Sequence, residues 1–343
     1  MVGLAVVFLI LSGTIVFLIA HARLTSGSFD RGEIQRGGRA ALSVLADKLG
    51  SAGLGLPRML AIKSYVPNVA CGTVVMPKLE VASLDFRREW TLAGTSGAAG
   101  TGTLTLANPI TLTPAVAVDV PIPVGRWLFL YQGAGPGARG MAAVGTARGS
   151  GALTVAVDST NYSTAQSTLD LAVTAPINGT VNPTAMLLVD VNTFGVNCSD
   201  NPAHPYLYWQ ENGGSQSVLA NNIDTRPLTA ANPGLGLAIG DVLGLRFRFL
   251  LDTNGDGQID ATVAQPSFNT DPSVATNDDV AAIEVTLRIR SENMDPQLKQ
   301  GCLQRGQDPA LCAYRVEEFT EVIRLSNLNT RAPDYIFVHN SAI

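Results

Sequence analysis

Residues 1–20, MVGLAVVFLILSGTIVFLIA, carry no Asp, Glu, Lys, Arg or His, and their only side-chain hydroxyls are Ser12 and Thr14. About twenty apolar residues wound as a helix match the roughly 30 Å of bilayer hydrocarbon. A secretory signal peptide would need a basic leading region and a small-residue cleavage site after a shorter apolar core. No Lys or Arg precedes this run, and the run is long, so a retained membrane helix is expected.

The helical pattern continues beyond the apolar run. In residues 21–49, Leu24, Ile34, Ala41, Leu42, Leu45 and Leu49 recur at helical spacings, with Arg31, Glu33, Arg36, Arg39, Asp47 and Lys48 on other faces. The signal weakens at Gly27 and at Gly37-Gly38, where a bend is expected. Gly50, Gly53, Gly55 and Pro57 then stop it. The pattern predicts one helix of roughly fifty residues, about 75 Å long. Residues 1–55 therefore form a transmembrane and assembly helix, and its second half carries one apolar stripe.

From about residue 58 the apolar period changes from 3.6 to 2. Ile283-Glu-Val-Thr-Leu-Arg-Ile-Arg290 alternates throughout, as do Leu245–Phe249, Thr103–Leu106 and Leu153–Val157. Arg126–Gln132 and Met186–Asp190 read as further strands, separated by Gly, Asn, Pro and Thr clusters. The expected fold class is α+β: a long N-terminal helix packed on a large antiparallel β-sheet head. The head covers residues 56–343, and its parts, about 56–235 and 236–343, are expected to form either two sheets or two lobes.

Composition narrows the partners. Only 15% of the 343 residues are charged and the net charge is −5, so no basic excess exists to neutralise phosphates, and nucleic acid is not expected as a main partner. The low charge and a mean hydropathy of +0.21 exclude a wholly disordered chain. The charge-free residues 1–22 are too few to account for the low charge, so the head is itself polar but uncharged.

The four cysteines, Cys71, Cys198, Cys302 and Cys312, contain no C-x-x-C, which leaves no zinc ribbon or thioredoxin-type site. An even count in an anchored β protein suits two disulfides outside the cytosol. Cys302 and Cys312 share one polar loop and form the natural local pair, and Cys71 then pairs with Cys198; the alternative is four buried thiols. The positive-inside rule opposes this compartment, because Arg23, Arg31, Arg36 and Arg39 follow the apolar run and nothing basic precedes it. A basic leader upstream of Met1 would remove the conflict.

Asp252-Thr-Asn254-Gly-Asp256-Gly257-Gln258-Ile-Asp260 fits the start of a calcium loop. Asp252, Asn254 and Asp256 would offer side-chain oxygens, Gln258 its carbonyl, and Asp260 a direct or water-borne ligand. Position twelve is Val263 rather than a bidentate Glu, so Asp271, Asp278 or Asp279 would have to complete the shell. The competing reading is a polar hairpin turn, given Asn-Gly and Asp-Gly.

Gly135-Pro-Gly-Ala-Arg-Gly140 fits G-x-G-x-x-G, with Asp158 near the expected distance, but no helix follows and a hairpin loop is expected. His21, His204 and His339 are scattered, His21 at the membrane edge. No H-E-x-x-H or G-x-S-x-G occurs, so no catalytic constellation is visible. The acid pairs Glu317-Glu318 and Asp278-Asp279 read as solvated strand ends. The aromatic cluster Pro202-Ala-His-Pro-Tyr-Leu-Tyr-Trp209 reads as core packing or a loop plug, with a surface-binding ridge as the alternative.

The N-terminus resembles the type IV pilin and pseudopilin family, in which a basic leader, a cleavage-site glycine and Phe-Thr-Leu-x-Glu-Leu precede an apolar helix. Met1-Val-Gly-Leu-Ala-Val-Val-Phe-Leu-Ile-Leu-Ser-Gly13 is similar to that continuation, which would place the leader and the diagnostic block upstream and make Met1 an internal methionine. Within the family the chain resembles the large minor pilins of the PilW type, related to the J-type pseudopilin of type II secretion. Arg36–Gly55, Asp279–Ser291 and Tyr314–Asn327 carry that likeness, roughly a third of the chain. The kinking proline of major pilins is absent before Pro57.

The resemblance implies a non-enzymatic subunit held in the bacterial inner membrane with its head in the periplasm, then extracted to the pilus and cell surface. It implies a role at the initiation or tip of pilus assembly. Its partners would be other minor and major pilins and a tip adhesin, with Gly3, Ala5 and Gly13 allowing close helix approach. The rival readings are a J-type pseudopilin, a membrane-anchored adhesin using the aromatic cluster or the calcium loop, and an anchored exported enzyme.

Overall fold

The computed structural model describes residues 2–56, 61–72, 74–91, 98–100, 103–105, 110–111, 121–131, 139–150, 152–157, 185–226, 244–254, 256–263 and 280–325. Some side chains within these ranges, including those of residues 2–10, lie outside the description. The chain is mixed α+β, mostly strand, with large antiparallel sheets.

The N-terminal helix is α1 (Val2–Gly50), 49 residues without interruption. Its docked face is the stripe read from sequence: Ile34, Gly38, Ala41, Leu42, Leu45 and Leu49 are buried, three or four residues apart except for the adjacent Ala41-Leu42 pair. The surroundings of Leu24 lie outside the described residues. Beyond Gly50 the chain turns through Gly53 (φ 77°) and Gly55 (φ 73°), a left-handed backbone that favours glycine.

The strands that follow are β1 (Ile62–Cys71), β2 (Val74–Thr91), β3 (Ala98–Gly100), β4 (Thr103–Thr105), β5 (Ile110–Thr111), β6 (Trp127–Tyr131), β7 (Arg139–Thr146) and β8 (Thr154–Val157). Then come β9 (Ala185–Asn197), β10 (Tyr206–Glu211), β11 (Gln216–Ala220), β12 (Leu245–Leu251), β13 (Ala261–Val263), β14 (Val280–Arg290), α2 (Pro296–Gln304), α3 (Pro309–Cys312) and β15 (Val316–Arg324).

Among the described residues the first large sheet has nine strands and runs β1-β2-β9-β6-β7-β8-β5, with β10 and β11 attached beside β9. β9 is its spine. One edge of β9 pairs along its length with β2, and the other pairs first with β6 and then with β10. Met186, Leu187, Leu188, Val189 and Val191 are all buried, so β9 is covered on both faces. That double burial is why Met186-Leu-Leu-Val reads as a continuous apolar run rather than an alternation.

The second sheet runs β13-β12-β14-β15 and is antiparallel. The alternation of its strands is explained directly: Leu245, Phe247, Phe249 and Leu251 face the core beside Ile283, Val285, Leu287 and Ile289. The stripe of α1 joins this same core together with Leu79 and Phe194 of the first sheet, and α1 contacts β11, β14 and β15. The helix thus seats where the two sheets meet.

The helix runs through Gly37-Gly38 without interruption. Gly38 is a contact residue, because a Cβ there would collide with the Phe319 ring, whereas nothing lies within 4 Å of a Cβ at Gly37. The two neighbours should respond with opposite signs. Gly38→Ala lowers stability by about 1–2 kcal/mol through overpacking, and Gly37→Ala raises it by about 0.5–1 kcal/mol through helix propensity. Urea denaturation of the two variants checks both.

Both expected disulfides form: Cys71–Cys198 and Cys302–Cys312, with Cα–Cα separations of 5.2 and 6.2 Å. The loop between Cys302 and Cys312 is not plain coil as the sequence reading had it. α2 and α3 occupy the region, each started by an Asp cap and a proline: Asp295 accepts from the N–H groups of Gln297 and Leu298, and Asp308 from that of Ala310. The two Asp-Pro pairs were the available signal.

Candidate functional site

The first candidate is the surface of α1 that the head leaves uncovered. Leu11, Ile15, Val16, Phe17 and Leu18 are 49–68% exposed, and Phe29 is 73% exposed. Nothing lies within 4 Å of a Cβ at Gly13, so that face is open to close approach. Gly3 and Ala5 lie within α1, and their surroundings are outside the described residues. Among the described residues no helix is long and apolar enough to cross a membrane. His21 stacks on Phe17 with ring centroids 6.1 Å apart. Lower on the helix, Arg31 reaches Glu317 of β15 at 3.7 Å, an exposed pair of little energetic weight.

The second candidate is the loop between β12 and β13. Asp252 Oδ2 accepts the Gly257 N–H at 2.9 Å, Asn254 Oδ1 the Asp256 N–H at 2.8 Å, and Asp256 Oδ1 the Gln258 N–H at 2.7 Å. Asp260 Oδ2 accepts from the N–H and hydroxyl of Thr253. Gly257 has φ 84°, the turn its glycine permits. The side-chain oxygens therefore point back onto the loop's own donors. Among the described residues no group of three or more His, Cys, Asp or Glu gathers tightly enough to hold a metal ion. Asp271, Asp278 and Asp279 lie outside the described residues, as do Asp158 and His339.

The Gly135–Gly140 segment lies mostly outside the described residues, but the strands around it are an antiparallel pair, β6 with β7, followed by β8. The aromatic cluster is split between the two faces of β10. Leu207 is fully buried and Trp209 packs on the core, its indole N–H donating to Asn192 Oδ1 at 2.7 Å under the Lys48 ammonium. Tyr206 and Tyr208 point to the opposite face and are partly exposed. His204 pairs through Nδ1 with Asn222 Oδ1 at 2.7 Å.

Two charged clusters were not read from the sequence. Asp224, fully buried, takes hydrogen bonds from Arg226 Nε and Nη2 and from Arg288 Nε, the last at 3.1 Å. Arg226 also donates to the Ala310 and Leu311 carbonyls, fixing α3 to the sheet. Glu318, half of one acid pair, lies 3.8 Å from Arg288. No local spacing announces this cluster, since Asp224 and Arg288 are 64 residues apart.

The other cluster lies on the outer face of the first sheet, where Glu80 sits between Lys63 at 2.6 Å and Lys78 at 2.8 Å, with Lys63 also over the Trp127 ring. Burial pushes the Glu80 carboxyl up, but the two ammoniums outweigh it and hold it below the usual value. Burial pushes the Lys78 ammonium down, and Glu80 outweighs that in turn and raises it. Asp295 follows Glu80: burial raises it, and the Arg315 guanidinium with the Leu298 and Gln297 N–H groups lowers it further than burial lifts it.

The depressed acids stabilise the fold above their ordinary range and lose that contribution as pH falls through it; the raised Lys78 contributes below its ordinary value and is lost as pH rises. On going from about pH 6 to about pH 3 the urea midpoint should fall, and it should fall less steeply in Glu80→Gln.

Compared with known proteins, the chain matches no family model, no curated protein and no solved structure.

Proposed function

We propose that the chain is a minor pilin of the PilW type that acts at the initiation or tip of a type IV pilus, without catalysis. The observation that carries this reading is the division of α1. Residues 34–49 bind the head through one stripe, while Leu11, Ile15, Val16, Phe17 and Leu18 are left exposed on a helix about 74 Å long. Such a surface is suited to exchange a lipid environment for neighbouring helices. The head sits in the periplasm before assembly, where Cys71–Cys198 and Cys302–Cys312 would persist.

The partners are other minor and major pilins, with a tip adhesin beyond them, and the inner membrane before extraction. In-frame DNA upstream of Met1 should encode a basic leader, a glycine and Phe-Thr-Leu-x-Glu-Leu; a stop codon directly before Met1 would count against the reading. Val16→Cys should cross-link in cells to other filament subunits. Cross-links to a secretion pseudopilus instead would assign the chain to the J-type pseudopilins.

Calcium at the Asp252–Asp260 loop is part of the proposal. Its support is the sequence spacing of Asp252, Asn254, Asp256, Gly257 and Asp260; in the loop those side-chain oxygens accept from the loop's own N–H groups, which an ion would have to displace. A bound ion would tie the β12–β13 hairpin. Calorimetry with calcium chloride on the folded chain should give saturable heat that Asp252→Ala removes; no heat removes calcium from the reading.

A further inference from the structure

The outer face of β10 presents Tyr206, Tyr208 and Gln210 in a row, two residues apart and on one side of the sheet. Across the ladder, Tyr208 stands opposite Gly195 of β9 and Val218 of β11, and Tyr206 opposite Asn197. Gly195 is what lets the Tyr208 ring lie down. A Cβ at that position would come within 2.9 Å of the Tyr208 hydroxyl and 3.1 Å of its ring carbons, so any larger residue would lift the ring off the sheet. The result is an aromatic ring laid across the strands, with Tyr206 beside it.

Around these rings stand planar hydrogen-bonding groups. The Tyr206 hydroxyl donates to Asp200 Oδ2 and lies 3.3 Å from Gln216 Oε1, and Asn197 Nδ2 bonds Gln216 Oε1 at 2.9 Å and Asp200 Oδ2 at 3.2 Å. Every member of this network is exposed or partly exposed. The nearby Lys78 is held by Glu80 at 2.8 Å, a carboxylate it shares with Lys63, and Asp200 beside Tyr206 carries the opposite charge, so the strip has no concentrated positive field to draw an acidic partner.

The geometry points to a binding strip for a neutral glycan on this face, with Tyr206 and Tyr208 as stacking platforms and Asn197, Asp200, Gln210 and Gln216 as partners for sugar hydroxyls. The physical basis is the match of groups. The apolar C–H face of a sugar ring lies against the negative face of an aromatic ring, and its hydroxyls need donors and acceptors in nearly the same plane, which amides and a carboxylate supply. A protein partner would ask for a recessed apolar anchor site, whereas here the Tyr208 ring lies over Gly195 among exposed amides and a carboxylate. The inference does not depend on whether the chain joins a pilus.

The test uses the full chain in a detergent without a sugar headgroup, with cellohexaose, chitohexaose and maltohexaose as probes in calorimetry and affinity electrophoresis. At least one probe should bind with a Kd below about 10 mM. Tyr206→Ala and Tyr208→Ala should each weaken it by about tenfold or more, and Tyr208→Phe should keep it within about twofold, because the ring face is retained. Thermal midpoints matching the parent chain establish that the alanine variants are folded. Absence of binding to all three probes overturns the proposal. So does equal binding by the folded alanine variants, or a preference for polygalacturonate over the neutral probes.

Discussion

A chain with Cys71 and Cys198 both replaced by alanine should be roughly 5 kcal/mol less stable than the parent, because the lost bridge closes a loop of 127 residues. The effect acts chiefly on the unfolded state, whose ends become free to separate. The same relation gives about 2.7 kcal/mol for the Cys302–Cys312 bridge, which spans 10 residues. Both cysteines of the long bridge are buried in the core, at the end of β1 and just after β9, so their removal also costs packing there. Guanidinium denaturation of the two double variants should rank them in that order. An equal loss in both would show that loop length is not the governing quantity.

The second large effect is at Asp224. Its carboxylate is fully buried and meets Arg226 and Arg288, whose side chains are 10% and 5% exposed. Asp224→Ala would leave two guanidinium groups without their shared anion, at a cost of about 3–5 kcal/mol. Asp224→Asn keeps an acceptor but not the charge and should fall between the two. Replacing all three groups together, as Asp224→Leu with Arg226→Met and Arg288→Met, should recover much of the loss, since a buried ionic cluster and an apolar one of similar volume have comparable stability. The exposed Arg31–Glu317 pair is the control: Arg31→Ala should change stability by less than about 0.5 kcal/mol. Urea midpoints across this set separate burial from charge as the source of the effect.

Much of the architecture was legible before any tertiary contact was known. The stripe from Ile34 to Leu49 repeats every three to four residues, and a helix with that stripe has one face it must bury. The alternation of Leu245–Phe249 and Ile283–Arg290 similarly left only one arrangement that puts Phe and Ile on the same side of a sheet. The candidate site was legible only in part. The aromatic cluster was visible as composition, but its division into Leu207 and Trp209 inside with Tyr206 and Tyr208 outside depends on the register against β9. The short helices α2 and α3 were overlooked because a strong turn composition outweighed the two Asp-Pro starts.

Elements whose signal is local could be read straight along the chain: the helical period to Gly50, the strand alternations, and the nearby pair Cys302 and Cys312. Which residues meet across long stretches of chain was set only by folding. It made Gly38 a seat for Phe319, and it gave Asp224 its two arginines. It also let Tyr208 lie down over Gly195. The reason is physical: backbone preference and side-chain period act within a few residues, whereas burial and charge pairing depend on the packing of surfaces that become neighbours only once the chain has folded.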